Sequence, residues 1–501
     1  MHRCSGTLVL AALLAGCSFT SAQPPTVEEA EQALRRAVRF LHEEVADHGG
    51  YVWRYSGDLT LREGEGRTDD RMAIWVQPPG TPAVGLAFLD AYEATGERLY
   101  LDAALDAGRA LLQGQLLSGG WYYHITFDPA LRGEWMYRVD HPGVGRGPTT
   151  DPGGEEGWHV WRQRRYKGNQ TLLDDNTTAS AIRFLAHLDR ALDFADQQVH
   201  EAVMYALDSV LMAQYPNGAW SHNYDRFPAH RPDLSIYPVL PASYPETWPR
   251  VWPKDFTGCY YLNDNLTPDM IAMLLDVHEV YGDERYLTAA HNGGSFLLLA
   301  RMPEPQPAWC QQYDAAMHPV WDRKFEPPAI TGEESQGVLE CLLLLYRKTG
   351  ERRYLEPVPR ALEYLQASAL PDGRLARFYE LQTNRPIYFT REYEMTYDIG
   401  QMPTHYSFVV ESRLSAIRAE YERLLALEPG ALEAEEAPAF TPDLQAEVAR
   451  IIAAQDERGA WVEMTVMDGH EIEPQSGVIH SSTFIANVAT LCEFIRAARR
   501  D

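Results

Sequence analysis

Two short runs of acids and amides are the residues most able to do chemistry. Asp174-Asp175-Asn176 precedes Thr177-Thr178-Ala179-Ser180, and Asn263-Asp264-Asn265 precedes Leu266-Thr267. Each run stands where a polar loop gives way to apolar residues at helical spacing, so carboxylates gather at two helix N-termini. Either run could simply cap its helix, a task at which Asp and Asn do very well. Two or three acidic and amide residues together exceed what a cap needs, and hard cations such as calcium take clustered oxygen ligands. Asp174, Asp175 and Asp264 are therefore expected to hold a cation.

Cations form the second set. The run Trp309-Cys310-Gln311-Gln312-Tyr313-Asp314 leads into His318-Pro319-Val320-Trp321-Asp322-Arg323-Lys324-Phe325-Glu326-Pro327. Further on, Ala376-Arg377-Phe378-Tyr379-Glu380 is followed by Arg385 and Arg391. A loop arginine most often pairs with a neighbouring acid. It is also the preferred clamp for a carboxylate, through its planar bidentate fork. Flat sugar faces stack on aromatic rings, so Trp121, Trp220, Trp309 and Tyr313, beside the same loops, are candidate sugar contacts.

These loops must be positioned by a repeat. Thr95-Gly96-Glu97-Arg98-Leu99-Tyr100-Leu101 returns as Gly282-Asp283-Glu284-Arg285-Tyr286-Leu287 and as Thr349-Gly350-Glu351-Arg352-Arg353-Tyr354-Leu355. Each copy ends one amphipathic segment with a glycine and opens another with acids in its first turn. A second phrase places Gln115, Gln214 and Gln455 six residues before Trp121, Trp220 and Trp461, with weaker copies ending at Trp53, Trp309 and Phe378. Apolar periodicity predicts about twelve helices, near 27–46, 80–95, 98–115, 175–192, 198–214, 264–281, 284–301, 332–349, 353–368, 402–427, 442–455 and 478–499. Helical hairpins cannot bury their apolar faces alone and must stack. Six of them with elaborate loops predict an all-α (α/α) toroid. The long loops 54–78, 122–172, 221–262 and 371–400 all follow the Trp turns, so they share one rim, where function is expected.

Composition bounds the partners. The chain has 501 residues and a formal charge of −27, which argues against nucleic acid, whose binding needs clustered Lys and Arg. A polyanionic substrate would need a local basic cleft and a bound cation to overcome that field. Residues 1–22 read as an export signal: Arg3, a short apolar stretch, then Leu14-Ala15-Gly16-Cys17, which resembles a lipobox with a lipidated Cys17. Cleavage after Ala22 is the alternative, so an exported protein is expected, lipid-anchored or secreted. Residues 23–501 read as one domain, a monomer that meets a membrane only through that anchor. Of the later cysteines, Cys341 and Cys492 sit in apolar helical runs, and Cys259 and Cys310 could pair. No zinc, dinucleotide or phosphate-loop motif is present.

The motifs over residues 98–400 resemble those of the family 10 polysaccharide lyases, the pectate lyases. The resemblance rests on Gly119-Gly120-Trp121, the Asp174–Leu185 segment, Ala213–Trp220, Asn263-Asp264, Trp309–Glu326 and Ala376–Pro386, in that order. It implies a helical toroid and calcium-dependent β-elimination on a polyuronate such as polygalacturonate. Asp174 and Asp264 match acidic cation- and substrate-binding positions, and Asp175 stands where the family usually has Asn. Arg323 matches the arginine taken as the base that removes the C5 proton, with Lys324 beside it as a fallback. Arg377 and Arg391 match substrate-binding arginines. The 122–172 and 237–261 stretches, with Trp158, Trp161, Trp248, Trp252 and Lys254, depart from the family. A glycoside hydrolase or epimerase on a toroid, using Asp174, Asp264 and Glu326, is a second reading, and a glycan-binding lipoprotein a third.

Overall fold

The computed structural model describes residues 24–66, 68, 70, 72–145, 167–225, 234–254, 257–403, 406–427, 432 and 439–500. The expected export segment with Cys17, and the stretch containing Trp158 and Trp161, lie outside them.

The described residues hold twelve helices of ten residues or more. They are α1 Val27–Phe40, α2 Thr81–Thr95, α3 Arg98–Leu112, α4 Thr177–Ala191, α5 Gln197–Ala213 and α6 Leu266–Tyr281. The others are α7 Glu284–Ala300, α8 Gly332–Thr349, α9 Val358–Ala367, α10 Leu414–Ala426, α11 Pro442–Ala454 and α12 Ser481–Ala498. Helices α12, α2, α4, α6, α8 and α10 pack side by side in that order as an inner ring. The others lie outside, and the fold is an (α/α) toroid. Its sixth hairpin is built from the two ends of the chain, α12 packing on α1.

Burial follows from this placement. The inner α6 buries ten residues on most of its circumference, from Leu266 to Val280. The outer α3 buries the narrower stripe carried by Tyr100, Leu101, Ala104, Ala107 and Leu111, as a helix with one solvated face must. The repeated glycines behave as their spacing predicts. Gly96, Gly282 and Gly350 adopt φ of 77°, 67° and 70°, and their N–H groups donate to Tyr92, His278 and Tyr346 carbonyls. Only glycine takes that conformation without a steric cost.

The Gln and Trp of the second phrase form a staple. The indole N–H groups of Trp121, Trp220 and Trp461 donate to the carbonyls of Leu111, Val210 and Ile451, each ten residues back. Each glutamine amide holds its own turn, at Gly119, Gly218 or Gly459. It also donates to the next outer helix: Gln115 to Ala202, Gln214 to Ala289 and Gln455 to Ala33. The last of these ties α11 to α1 and closes the outer ring.

After each staple a short strand pairs with the strand that enters the same hairpin: 124–126 with 73–75, 223–224 with 171–172, and 312–313 with 260–261. This returns the chain to one rim. There a four-stranded sheet, in the order 395–396, 386–389, 378–380, 329–331, carries a second apolar cluster around Trp321, Phe325, Phe378, Phe389 and Phe408. The helix expected over 402–427 begins only at Leu414. Residues ahead of it are extended, with Val409–Val410 paired to Leu375–Ala376, because aromatic and β-branched residues there fit a half-buried strand. Cys259, Cys310, Cys341 and Cys492 are buried free thiols, and no helix among the described residues is long and apolar enough to cross a membrane.

Candidate active site

The acidic runs form the same backbone feature twice. Residues 174–176 and 263–265 each make one tight turn before an inner helix, α4 or α6. Asp175 and Asn176 have φ of 50° and 56°, and Asp264 and Asn265 have 47° and 62°. Asp and Asn tolerate this left-handed region better than other side chains, and two such residues in a row store strain. Neither Asn176 nor Asn265 caps its helix with its side chain, so capping does not account for the runs. Gly337 on α8 makes room for the second turn, since a Cβ there would lie 1.8 Å from Asn265 Oδ1.

The turns bring Asp174, Asp175 and Asp264 together, with one oxygen of each within 4.8 Å of the others. Two arginines face them. Arg377 Nη2 lies 3.3 Å from Asp264 Oδ1 and 3.2 Å from Glu334 Oε1. Arg323 Nη2 lies 4.0 Å from Asp264 Oδ2. Its guanidinium also forks onto Glu326, with Nε 2.7 Å from Oε2 and Nη2 on Oε1. Both guanidiniums lie against the Tyr406 ring, whose hydroxyl donates to Glu326 at 3.2 Å. On the other side His222 Nε2 meets Asp174 Oδ2 at 2.7 Å, while the Asn223 amide, held by Gln170, faces His222 Nδ1.

Crowded acids in a half-dry cleft resist ionisation. Burial, then the Asp174 and Glu65 charges, push Asp175 up to about 7. Burial, Asp174 and Glu334 drive Asp264 well above the carboxylate range, against Arg377. Asp322 is raised to about 7 by burial and Glu326. Burial would raise Asp174 too, but the His222 charge and hydrogen bond more than offset it and hold it low. The same pairing raises His222 against its own burial. Arg323 and Arg377 keep their protons more firmly than usual. Burial works against this, but the carboxylates, Glu326 and Glu334 foremost, outweigh it.

The donor set suits a hard divalent cation. Besides the three carboxylates, Asn176 Oδ1, Asn263 Oδ1, Asn265 Oδ1 and Glu334 Oε2 are buried oxygens without a hydrogen bond, and so is Oδ1 of Asp174 itself. Calcium takes six to eight oxygens at about 2.3–2.6 Å, so oxygens within 4.8 Å of one another can share one ion.

Other expected site residues lie elsewhere. Trp121, Trp220, Trp309 and Tyr313 are fully buried and offer no face to a sugar. The three indoles are staples, Trp309 donating to Leu297, and the Tyr313 hydroxyl donates to Ala300. Lys324 Nζ rests 3.3 Å from the Tyr393 ring centre, Arg385 lies over Tyr397, and Arg391 is exposed. No ion pair among the described residues joins these three to the acidic cluster. Tyr406 was hidden inside the expected 402–427 helix. Glu334 and His222 carried a signal in their places, the first turn of an inner helix and the residue after a Trp-turn serine.

No family model matches the sequence, and no curated protein matches it. Among solved structures, a family 10 polysaccharide lyase from Cellvibrio cellulosa superimposes with a TM-score of 0.43 at 20% identity, over 73% of this chain and 100% of that one. A cellobiose 2-epimerase from Bacillus thermoamylovorans gives 0.47 at 15% identity, over 94% and 98%. An α-1,6-mannanase from Salegentibacter gives 0.40 at 11% identity, over 94% and 99%. A lyase, an epimerase and a mannanase all stand at this distance, so likeness of this degree selects no reaction.

Proposed function

We propose that this chain is an exported polyuronate lyase, acting on polygalacturonate or a related polymer by cation-dependent β-elimination. The observation that carries the reading is the convergence of three carboxylates within 4.8 Å on two guanidiniums, Arg323 and Arg377. Asp174, Asp175 and Asp264 would hold calcium. When bound, the ion would neutralise the uronate carboxylate and so acidify the proton at C5.

The chain's own residues supply the rest. Arg377, fixed by Glu334, offers the uronate carboxylate a positioned donor. Glu334 and Glu326 are fully buried and hold the two guanidiniums in register. Arg323 is the candidate for receiving the C5 proton. To do so it must first lose a proton that Glu326 and Asp264 both favour. Asp264 would release its part of that hold when engaged by a cation, and Arg377 would disfavour a second charge beside it. The C5 electron pair then forms the C4–C5 double bond as the C4–O bond breaks, and the departing oxygen takes up a proton from solvent, in balance with the one that Arg323 released to solvent beforehand.

A second reading is a glycoside hydrolase. It is favoured by Asp175 and Asp322, both raised to about 7, the range a general acid needs. One experiment separates the two. Incubation with polygalacturonate in calcium should give a product absorbing in the ultraviolet, from a double bond conjugated to the carboxylate, and chelator should abolish it. New reducing ends without that absorbance would overturn the lyase reading.

A further inference from the structure

On that reading, we infer that a separate subsite for the uronate polymer lies at the cavity of about 590 Å³ lined by Leu370, Asp372, Arg385, Tyr388, Tyr397 and Ile399. Tyr397 and Ile399 are 41% and 47% exposed, an aromatic and an aliphatic face left to solvent around a concave surface. Arg385 holds its guanidinium 3.5 Å from the Tyr397 ring centre. Acids outnumber Lys and Arg by 71 to 44 in this chain, yet no ion pair among the described residues includes Arg385. Two acids also line the cavity, and only Asp372 has a cationic partner among the described residues. Asp372 pairs with Arg374 at 2.7 Å, and Asp398 accepts from the Gly400 N–H at 2.9 Å. A ring beside an uncommitted guanidinium suits a residue that is flat on one face and carries a carboxylate. A uronate has that form.

The cavity also connects to the acidic cluster. The Tyr397 hydroxyl donates to Glu380 Oε1 at 2.7 Å, and Glu380 pairs with Arg250. Arg250 lies 4.0 Å from the Trp248 ring centre, a second ring and cation on the surface. Four residues from Trp248, the Trp252 indole donates to the carbonyl of Asp322 at 2.7 Å, next to Arg323. Residues 248–252 thus touch Glu380, the partner of the cavity's Tyr397, on one side and the backbone beside Arg323 on the other. A polymer bound at the acidic cluster would extend along them, so long chains should bind better than short ones.

Arg385→Ala tests this, because the side chain is exposed and its removal leaves no buried group unpaired. Affinities for polygalacturonate and for a galacturonate trimer are measured by titration calorimetry with calcium present. The variant should bind the polymer about tenfold more weakly, or about 1.4 kcal/mol, and the ratio of polymer to trimer affinity should fall with it. Tyr397→Ala should act alike, and Tyr397→Phe, which keeps the ring, should not. Equal polymer affinity in Arg385→Ala and the parent, an equal loss on the trimer, or no binding of polygalacturonate by the parent overturns the subsite. A parent that binds the polymer yet forms no ultraviolet-absorbing product overturns the lyase reading instead, and the affinity ratio still decides the subsite.

Discussion

Asp175 and Asp264 occupy the same place in two successive hairpins. Each has a left-handed backbone, with φ of 50° and 47°, followed by a left-handed asparagine, and each side chain turns toward the other and toward Asp174. Plain helix capping needs neither the strain nor the crowding, and in neither turn does the asparagine side chain cap the helix. The arrangement makes sense if strain and repulsion are relieved by something bound between the turns.

Asp175→Asn should therefore raise stability without a cation and lower it with one. The amide removes a half-buried charge from beside Asp174 and Glu65, which by itself favours folding. It also removes one anionic ligand. Thermal unfolding in chelator should give a higher midpoint for the variant than for the parent. In millimolar calcium the order should reverse, because ligand binding stabilises only the form that binds it. A lower midpoint in both conditions would sink the idea that these acids repel one another.

The pH dependence of the cation-free protein follows from the same groups. Asp175 and Asp322 titrate near 7 when folded, against about 3.9 in an unfolded chain. The folded state thus binds more protons between these values, and stability falls as pH rises. Their contribution is complete below about pH 4 and gone once pH passes 7. His222, whose folded value is also raised, adds loss in the same direction above its unfolded value near 6.5. Urea midpoints in chelator should decline from pH 5 to pH 8, and calcium should flatten the decline.

The ring was legible because its signals are local. Glycine at a left-handed helix end and Gln six residues before Trp each leave a fixed spacing in the chain, and they report packing. For that reason Trp121, Trp220 and Trp309 misled as sugar contacts: an indole that plugs its own hairpin is conspicuous in sequence but closed to ligand. The convergence of Asp174, Asp264 and Arg323 was anticipated from motif order. Glu334 and Tyr406 were not placed there, since their approach depends on how α8 and the extended stretch before α10 meet across the rim. Nothing in the spacing of Arg385 and Arg391 told that one faces a separate cavity and neither reaches the acids.

Arg377→Ala should be among the most destabilising changes in the site. It strips the cation from Glu334, a fully buried carboxylate that would keep only the Gln311 amide, at 2.9 Å. Breaking a buried pair from one side costs about 3–5 kcal/mol. Arg377→Ala with Glu334→Gln should recover much of that loss, because the uncompensated charge is gone. Chemical denaturation of the two single variants and the double variant checks this. Additive losses would mean that the two side chains do not act as a pair.

The seam between the chain ends offers the test of the closed ring. Gln455 makes three contacts through one side chain. Its Nε2 donates to Ala33 O in α1 and to Gly459 O in its own turn, and its Oε1 accepts from Arg36, with Nη2 at 2.7 Å. Gln455→Ala leaves the Gly459 carbonyl without its donor, at about 1–3 kcal/mol for a polar group left unpaired, and cuts the tie to the Ala33 carbonyl in α1. The equivalent Gln115→Ala, within the unbroken part of the ring, should cost a similar amount of global stability. The two should differ in where the structure opens. Amide hydrogen exchange in α1 and α12 should quicken in Gln455→Ala, because those two helices pair with each other without a connecting loop. If α1 exchanges no faster in Gln455→Ala than in Gln115→Ala, the staple does not close the seam.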